Sequence, residues 1–510
     1  MTQPDPEYII IDLFCGAGGT TTGFDMAMKN GFKIAKVIAC VNHDAKAIES
    51  HWQNHPDVVH FQEDILLLDL TKLMELLNDS ISKYPKAKII LWASLECTNF
   101  SKAKGGQSRD ADSRTLAWGL IRYIEALNPD FVMIENVVEF MSWGPLDEKG
   151  KPISRKNGSD WMKWRELICS QFNYVDAWKE INSADFGAYT SRNRLFGIFA
   201  KDENQIAFPL PTHSKKPEKS IFGGLHKWKA VKEVLDFEDE GNTIFNRKTP
   251  IVDASLERIY AGLVKFVAGG EQNFMLKYNS MSQNKVHNPP SVDEPCPTIA
   301  CQNRLGVVKV NFIAKYYIGR PEGKVIDVDR PIGTITTSDH HSLVFLTRYN
   351  SGDKNALSVD VPSPTLTTKD RLAKLNCSYI LNPSYGGNSH SVEVPCPVIV
   401  ARQDKAPLYL IQVKDEQISI PIYDTDSEIM IKIKTFMSMY AIGDIKIRML
   451  KVIELKLIQG FGENYQLIGS QADQKKFIGN SVVPLVVKNW IESMANKAKP
   501  LEKWTQLQPT

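Results

Sequence analysis

Up to about residue 200 the chain alternates short, continuously apolar runs with amphipathic stretches, and this alternation restricts the possible architecture more than any other property of the sequence. The runs at 8–13, 36–41, 88–93, 131–135 and 195–200 read as strands, and the stretches at 20–30, 44–53, 70–83, 113–127 and 160–172 read as helices. Spacing such as Leu116, Leu120, Ile121, Ile124 and Leu127 gathers one apolar stripe on a helix, whereas Ile9-Ile10-Ile11 leaves a strand no polar face. Strands of that kind must be covered on both sides. The expected fold class is therefore α/β, a doubly wound and mostly parallel sheet.

At 510 residues the chain exceeds what one hydrophobic core holds. A first part is expected over 1–205. From there the character changes to proline, lysine and polar residues, as in Phe208-Pro209-Leu210-Pro211-Thr212-His213-Ser214-Lys215-Lys216-Pro217, which marks a domain edge. A second, β-rich domain is expected over 206–444. It contains four copies of one template between about 285 and 405, beginning at Val292, Val328, Val359 and Val392, for example Val292-Asp293-Glu294-Pro295-Cys296-Pro297-Thr298-Ile299. Such an array holds itself together, and the loops that recur on one face, with Arg304, Tyr317, Arg348 and Arg371 nearby, also suit a reading surface. Residues 445–510 are expected to return to the first core, through Leu450, Ile453, Leu457 and Ile458 and a last helix near 485–497.

With 43% hydrophobic and 24% charged residues and a net charge of +2, the chain is neither disordered nor globally basic, so any nucleic-acid surface must be local. Apolar stretches such as Phe131-Val132-Met133-Ile134 are far too short to span a bilayer, and the first residues lack the pattern of a signal peptide. A cytoplasmic protein without membrane contact is expected. None of the eight cysteines forms a paired Cys-x-x-Cys arrangement, so no metal site is expected either.

Asp12-Leu13-Phe14-Cys15-Gly16-Ala17-Gly18-Gly19 carries the first strand into a glycine-rich turn, which lets backbone approach a ligand closely. The spacing is not that of a dinucleotide fingerprint or a phosphate loop, so no pyrophosphate is implied. Cys97 follows the strand at 88–93, Glu135-Asn136-Val137 ends the strand at 131–135, and Arg192 and Arg194 alternate in an extended segment so that both point the same way. Catalytic groups of open parallel sheets gather beyond such strand ends. A thiol, a carboxyl and two guanidinium groups suit covalent catalysis on a flat polar substrate, and partial burial would favour a carboxyl that gives or shares a proton. Taken singly, each also has a plain reading: a core cysteine, a helix-capping glutamate, surface ion-pair partners.

The ordered set resembles the cytosine-C5 DNA methyltransferase family: Asp12 to Gly19 its first motif, Cys97 with Phe100-Ser101 its catalytic loop, Glu135-Asn136-Val137 its sixth motif, Arg192 and Arg194 its eighth, and Gly479-Asn480-Ser481-Val482 its last. The resemblance covers about 8–200 and 445–495 and implies a class I methyltransferase fold, with the repeat segment as target-recognition domain. It implies that S-adenosyl-L-methionine binds at Phe14, Cys15, Gly16, Ala17, Gly18 and Gly19, with contacts from Asn42, His43, Asp64, Ile65, Leu116, Asn480 and Val482, and leaves as S-adenosyl-L-homocysteine. It further implies double-stranded DNA as partner, a flipped-out cytosine, Cys97 attacking C6, Glu135 at N3, Arg192 on the O2 side with Arg194 beside it, and a place in a restriction system whose cognate endonuclease acts separately. Three motifs depart from the family pattern. Glu96 and Thr98 flank the cysteine in place of proline and glutamine, Thr190 replaces a glutamine, and Asn42 stands where an acidic ribose ligand is usual. A DNA-binding protein without turnover and an RNA cytosine-C5 methyltransferase are the alternatives.

Overall fold

The structure, a computed structural model, describes residues 3–95, 115–145, 158–202, 205–217, 224–236, 238–239, 241–264, 421–439, 442 and 444–496, together with backbone strands between 274 and 412. It comprises two compact units, one of residues 1–227 with 459–510 and one of residues 228–458. The sequence reading sets the corresponding breaks at 205/206 and 444/445.

The first unit is built on seven strands: β1 (Tyr8–Leu13), β2 (Ala35–Val41), β3 (Val59–Phe61), β4 (Lys88–Ser94), β5 (Phe131–Asn136), β6 (Val175–Asn182) and β7 (Asn193–Ala200). They lie in the order β3-β2-β1-β4-β5-β7-β6. All neighbours are parallel except β7, which runs antiparallel to both β5 and β6. Among the described residues seven helices accompany the sheet: α1 (Gly19–Met26), α2 (Ala45–Asn54), α3 (Thr71–Lys83), α4 (Thr115–Leu127), α5 (Ser159–Phe172), α6 (Gln471–Asn480) and α7 (Pro484–Ala495).

The alternation of side chains along each strand divides the core in two. Tyr8 and Ile10 of β1 join Phe24, Ile48, Trp92, Met133, Phe196, Val486 and Trp490 on the face covered by α1, α2 and α7. Ile9, Ile11 and Leu13 join Leu73, Leu120, Ile124, Val132 and Trp164 on the face covered by α3, α4 and α5. The continuous apolar runs thus have the cause expected of them. On α4 the buried stripe is Ala117, Leu120, Tyr123, Ile124 and Leu127, while Leu116 and Ile121 are half-buried, so the stripe is rotated from its expected centre.

The last helix packs into this core. Trp490 is fully buried, donates its Nε1–H to the Ala207 carbonyl at 2.7 Å, stacks on Phe208 and meets Trp92 edge-on, and burying a side chain of this size stabilises by about 3 kcal/mol. The helix expected over 20–30 instead stops at Met26, because Asn30-Gly31 takes positive φ of 53° and 81° and closes a two-residue hairpin between Met28–Lys29 and Phe32–Lys33.

The second unit holds a sheet to which Asn242–Thr243, Lys446–Arg448, Tyr409–Gln412, Ser378–Leu381, Leu305–Val308, Phe274–Asn279 and Gly386–Asn388 contribute in that order. Arg448 is buried in a two-pronged pair with Glu454, at 2.9 and 2.8 Å, which ties the strand to helix Val452–Gln459. That helix buries Leu455 and Ile458 and leaves Ile453 exposed, a face shifted from the expected one. Within the repeats, backbone strands from the first and fourth copies pair in parallel, Ile299 with Val398 and Cys301 with Val400. Most of the repeat segment, and the side chains of Arg304, Tyr317, Arg348 and Arg371, lie outside the described residues. Among the described residues no helix is long and apolar enough to cross a membrane.

Candidate active site

The carboxyl ends of four strands are level with one another. Leu13 of β1 sits beside Val41 of β2 and Ala93 of β4, and Ser94 of β4 sits beside Glu135 of β5. The strand order reverses between β1 and β4, and an open sheet forms its ligand crevice outside the strand ends at such a point. Both the glycine turn after β1 and the segment leading to Cys97 after β4 leave the sheet there. Cys97 itself, with Glu96 and Thr98, lies outside the described residues.

The turn is held from several sides. Cys15 N–H donates to the Val41 carbonyl at 3.3 Å, Gly18 N–H to the Cys15 carbonyl at 3.1 Å, and the Tyr465 hydroxyl to the Ala17 carbonyl at 2.6 Å. Phe14 and Gly16 both have positive φ, 58° and 52°. A Cβ on Gly19 would lie 1.9 Å from Ser481 Oγ and 2.6 Å from the Val482 carbonyl, so this glycine exists for close packing against the last motif. Gly16 is different, since a Cβ there would meet nothing within 4 Å. Its missing side chain leaves open space at the strand ends, which is what a backbone-bound ligand requires.

Of the other expected cofactor contacts, Asn42 follows β2, half-buried, and its Oδ1 accepts the Asp44 N–H at 2.9 Å, while no described residue partners its amide nitrogen; His43 is exposed. Asp64 is exposed and accepts the Leu66 N–H at 2.8 Å. Ile65 buries its side chain in the core and its carbonyl accepts the Tyr123 hydroxyl at 2.8 Å. Leu116 is half-buried in the first turn of α4. Asn480 ends α6 exposed, and Val482 packs in the core beside α1. Burial and the neighbouring Cys40 thiol push the Cys15 thiol up, and Cys15 belongs to the packed underside of the turn.

Glu135 is 6% exposed at the end of β5. Arg194 Nε lies 3.3 Å from its Oε1 and Arg192 Nη2 4.0 Å from the same oxygen, so the structure brings these three residues together. The surface reading of the arginines is overturned for Arg192, which is 3% exposed and donates from Nη1 to the Gly479 carbonyl at 2.9 Å. The eighth and last motifs are thereby joined. Thr190, at the glutamine position of the family, is fully buried, and its Oγ1 finds no hydrogen-bond partner among the described residues. A carboxylate set between two guanidinium groups offers an acceptor and several donors to one planar ligand.

Sequence reasoning missed the supporting residues. Tyr465 carries no local signal of its contact with Ala17. Asp12, fully buried, accepts from Thr21 Oγ1 at 2.9 Å, and burial pushes its carboxyl up to about 7. Thr21 in turn is 2.9 Å from His51 Nε2. The i, i+4 spacing of His51 and His55 on an amphipathic helix was the available clue.

A doubly wound sheet of this order, closed by one antiparallel strand and carrying a glycine turn at its switch point, defines a class I methyltransferase architecture. Residues 8–253 and 350–496 match the model of the C-5 cytosine-specific DNA methylase family, and the chain belongs to that family. It is 28% identical over 204 residues to "Type II methyltransferase M.AgeI" of Thalassovita gelatinovora, covering 40% of this chain and 42% of that protein. It is 30% identical over 210 residues to "Type II methyltransferase M1.HphI" of Haemophilus parahaemolyticus, covering 40% and 49%. The aligned part thus spans less than half the length of these relatives. A solved structure of the Entamoeba histolytica methyltransferase EhMeth superposes with a TM-score of 0.44 at 12% identity, covering 98% of this chain and 100% of that one.

Proposed function

We propose that this protein is a DNA (cytosine-5-)-methyltransferase acting on a cytosine flipped out of the duplex, with Cys97 as nucleophile. The observation that carries this reading is the buried group of Glu135, Arg194 and Arg192 at a strand end level with Ser94. Cys97 is three residues beyond Ser94, a length of chain that reaches at most about 11 Å. A thiol tethered that close to a carboxyl and two guanidiniums can work on one base.

C5 of cytosine is a poor nucleophile until a thiolate has added at C6. Cys97 sulfur forms the bond to C6, the ring electrons move toward C5 and N3, and Glu135 hydrogen-bonds or protonates N3. Arg192 and Arg194 hold the O2 side and keep the Glu135 carboxyl in place. S-adenosyl-L-methionine would supply an electrophilic methyl group, to which the activated C5 forms its bond, with S-adenosyl-L-homocysteine as the leaving group. Loss of the C5 proton to a base leaves its electron pair as the C5–C6 double bond, the S–C6 bond breaks with its pair on sulfur to regenerate the Cys97 thiolate, and N3 returns any proton it took to Glu135. Extrusion of the base is required because neither face of a stacked cytosine admits a thiolate.

The open space at Gly16 and the amide nitrogen of Asn42, which has no partner among the described residues, fit this cofactor. The backbone of Phe14 to Gly19, Asn42 and His43 at the ribose, and Asp64, Ile65, Leu116, Asn480 and Val482 around the remainder would hold it. The relatives named type II methyltransferases support a place in a restriction system, with a separate endonuclease and duplex DNA as partners in the cytoplasm. Transfer of labelled methyl to duplex DNA tests the proposal, with transfer RNA as competitor. Label in DNA, absent with Cys97→Ala, is expected; label in RNA alone, or unchanged transfer by the variant, overturns it.

A further inference from the structure

Beneath the glycine turn the fold assembles a cluster that cysteine spacing in the sequence does not reveal. Cys15 of the turn, Cys40 of β2 and His51 of α2 are all buried, and their Sγ, Sγ and ring-nitrogen atoms lie within 4.8 Å of one another. Cys40 Sγ is 3.8 Å from His51 Nδ1, and His60 Nε2, from β3, is 2.8 Å from that same nitrogen. From these positions we infer that Cys15, Cys40, His51 and His60 form a tetrahedral site for a zinc-type divalent cation.

The chemistry of the donors agrees with the cation. Two thiolates and two imidazoles are a structural zinc set, and zinc bonds of 2.3 Å to sulfur and 2.0 Å to nitrogen place a sulfur and a nitrogen ~3.5 Å apart, and two nitrogens ~3.3 Å apart. The 3.8 Å between Cys40 Sγ and His51 Nδ1 requires a shift of a few tenths of an ångström, whereas His60, which lies 2.8 Å from that nitrogen and outside the group formed by Cys15, Cys40 and His51, has to move toward the two sulfurs to complete the set.

The surroundings of His51 also match those of a metal ligand. Thr21 donates its hydroxyl proton to Asp12, so the His51 Nε2–H is directed at the Thr21 oxygen. The Nδ1 lone pair is thereby left facing Cys40 and His60. Metal-bound histidines ordinarily have their second nitrogen fixed in this way by a carboxylate, here through one threonine hydroxyl. Three of the four ligands are buried and His60 is half-buried, which gives the ion a route in. A bound ion would tie the turn, β2, α2 and β3 together directly under Gly16, and its binding energy would add to the stability of that edge.

The test uses the full chain, stripped with a chelator under reducing conditions and titrated with Zn2+ and with Co2+. One equivalent is expected to bind, with the thiolate-to-cobalt charge-transfer band and the intense visible bands of a tetrahedral site. The thermal midpoint should rise on adding zinc. Cys40→Ser and His51→Gln should abolish the cobalt spectrum, and Thr21→Val, which leaves all four ligands in place, should weaken binding about 10- to 100-fold. A measurement free of variant folding is release of zinc from the wild-type protein by an organomercurial, expected at one ion per protein with two thiols consumed. Absence of stoichiometric binding by the wild-type protein, a spectrum without sulfur ligation, or a Cys15–Cys40 disulfide in the protein as isolated would overturn the site.

Discussion

Arg194 Nε and Glu135 Oε1 are 3.3 Å apart, with both side chains largely withdrawn from water and joined across the antiparallel β5–β7 pair. The arrangement fixes the carboxyl at the strand end. Glu135→Gln preserves the shape of the group and removes its acid–base capacity, so methyl transfer should fall by about 10²–10⁴-fold. Arg194→Ala instead leaves a buried carboxylate with Arg192 at 4.0 Å, and unfolding in urea should show a loss of about 3 kcal/mol along with lost activity.

Gly16 of the first motif and Gly23 of α1 separate ligand approach from packing. Gly23→Ala would place a methyl 2.5 Å from Val487 Cβ and 2.6 Å from the Pro484 carbonyl, and overpacking of this kind costs about 1–3 kcal/mol. Gly16→Ala meets open space, so its stability cost is the ~1 kcal/mol of a left-handed φ. Calorimetry with S-adenosyl-L-homocysteine should show binding lost in Gly16→Ala and retained in folded Gly23→Ala.

Asn42→Asp restores the acidic side chain usual in the family. One oxygen can keep the Asp44 N–H while the other accepts a hydroxyl, and hydrogen bonds to a charged acceptor are about twice as strong. Tighter binding of S-adenosyl-L-homocysteine is expected by calorimetry. Equal or weaker binding would remove Asn42 from the ribose position.

How much of this was legible follows from which groups are buried. β1, β4 and β5 were readable because both their faces are covered, which left continuous apolar runs. β6 was not, since Val175–Asn182 lies at the sheet edge and is mostly half-exposed, so its sequence carries Asp176, Lys179 and Glu180. β3, three residues long, is too short to show a period. The arginines were readable as a pair because alternation in an extended segment is local. Their union with Glu135 and Gly479, and the meeting of Cys15, Cys40, His51 and His60, depend on strand order and register, which no local pattern encodes.

Lys475 is 5% exposed, and burial lowers its ammonium group from 10.5 to about 8. The unfolded chain therefore holds a proton that the folded protein lacks between about pH 8 and 10.5, so this group makes stability rise with pH across that window and costs on the order of 3 kcal/mol below it. Lys475→Met should raise the urea midpoint at pH 7, with the difference from wild type shrinking above pH 8 and vanishing above 10.5. A difference independent of pH would show that Lys475 is not buried as a cation.

The role of Cys97 is most directly read by mass spectrometry of the protein after reaction with S-adenosyl-L-methionine and a sequence-randomised duplex containing 5-fluorocytosine. Fluorine at C5 blocks the proton loss that releases the thiol, so an adduct of enzyme, nucleotide and methyl group should accumulate on the peptide bearing Cys97 and be absent in Cys97→Ala. An adduct on another residue, or methylation of ordinary duplex DNA by an enzyme that never forms one, would contradict covalent catalysis by Cys97.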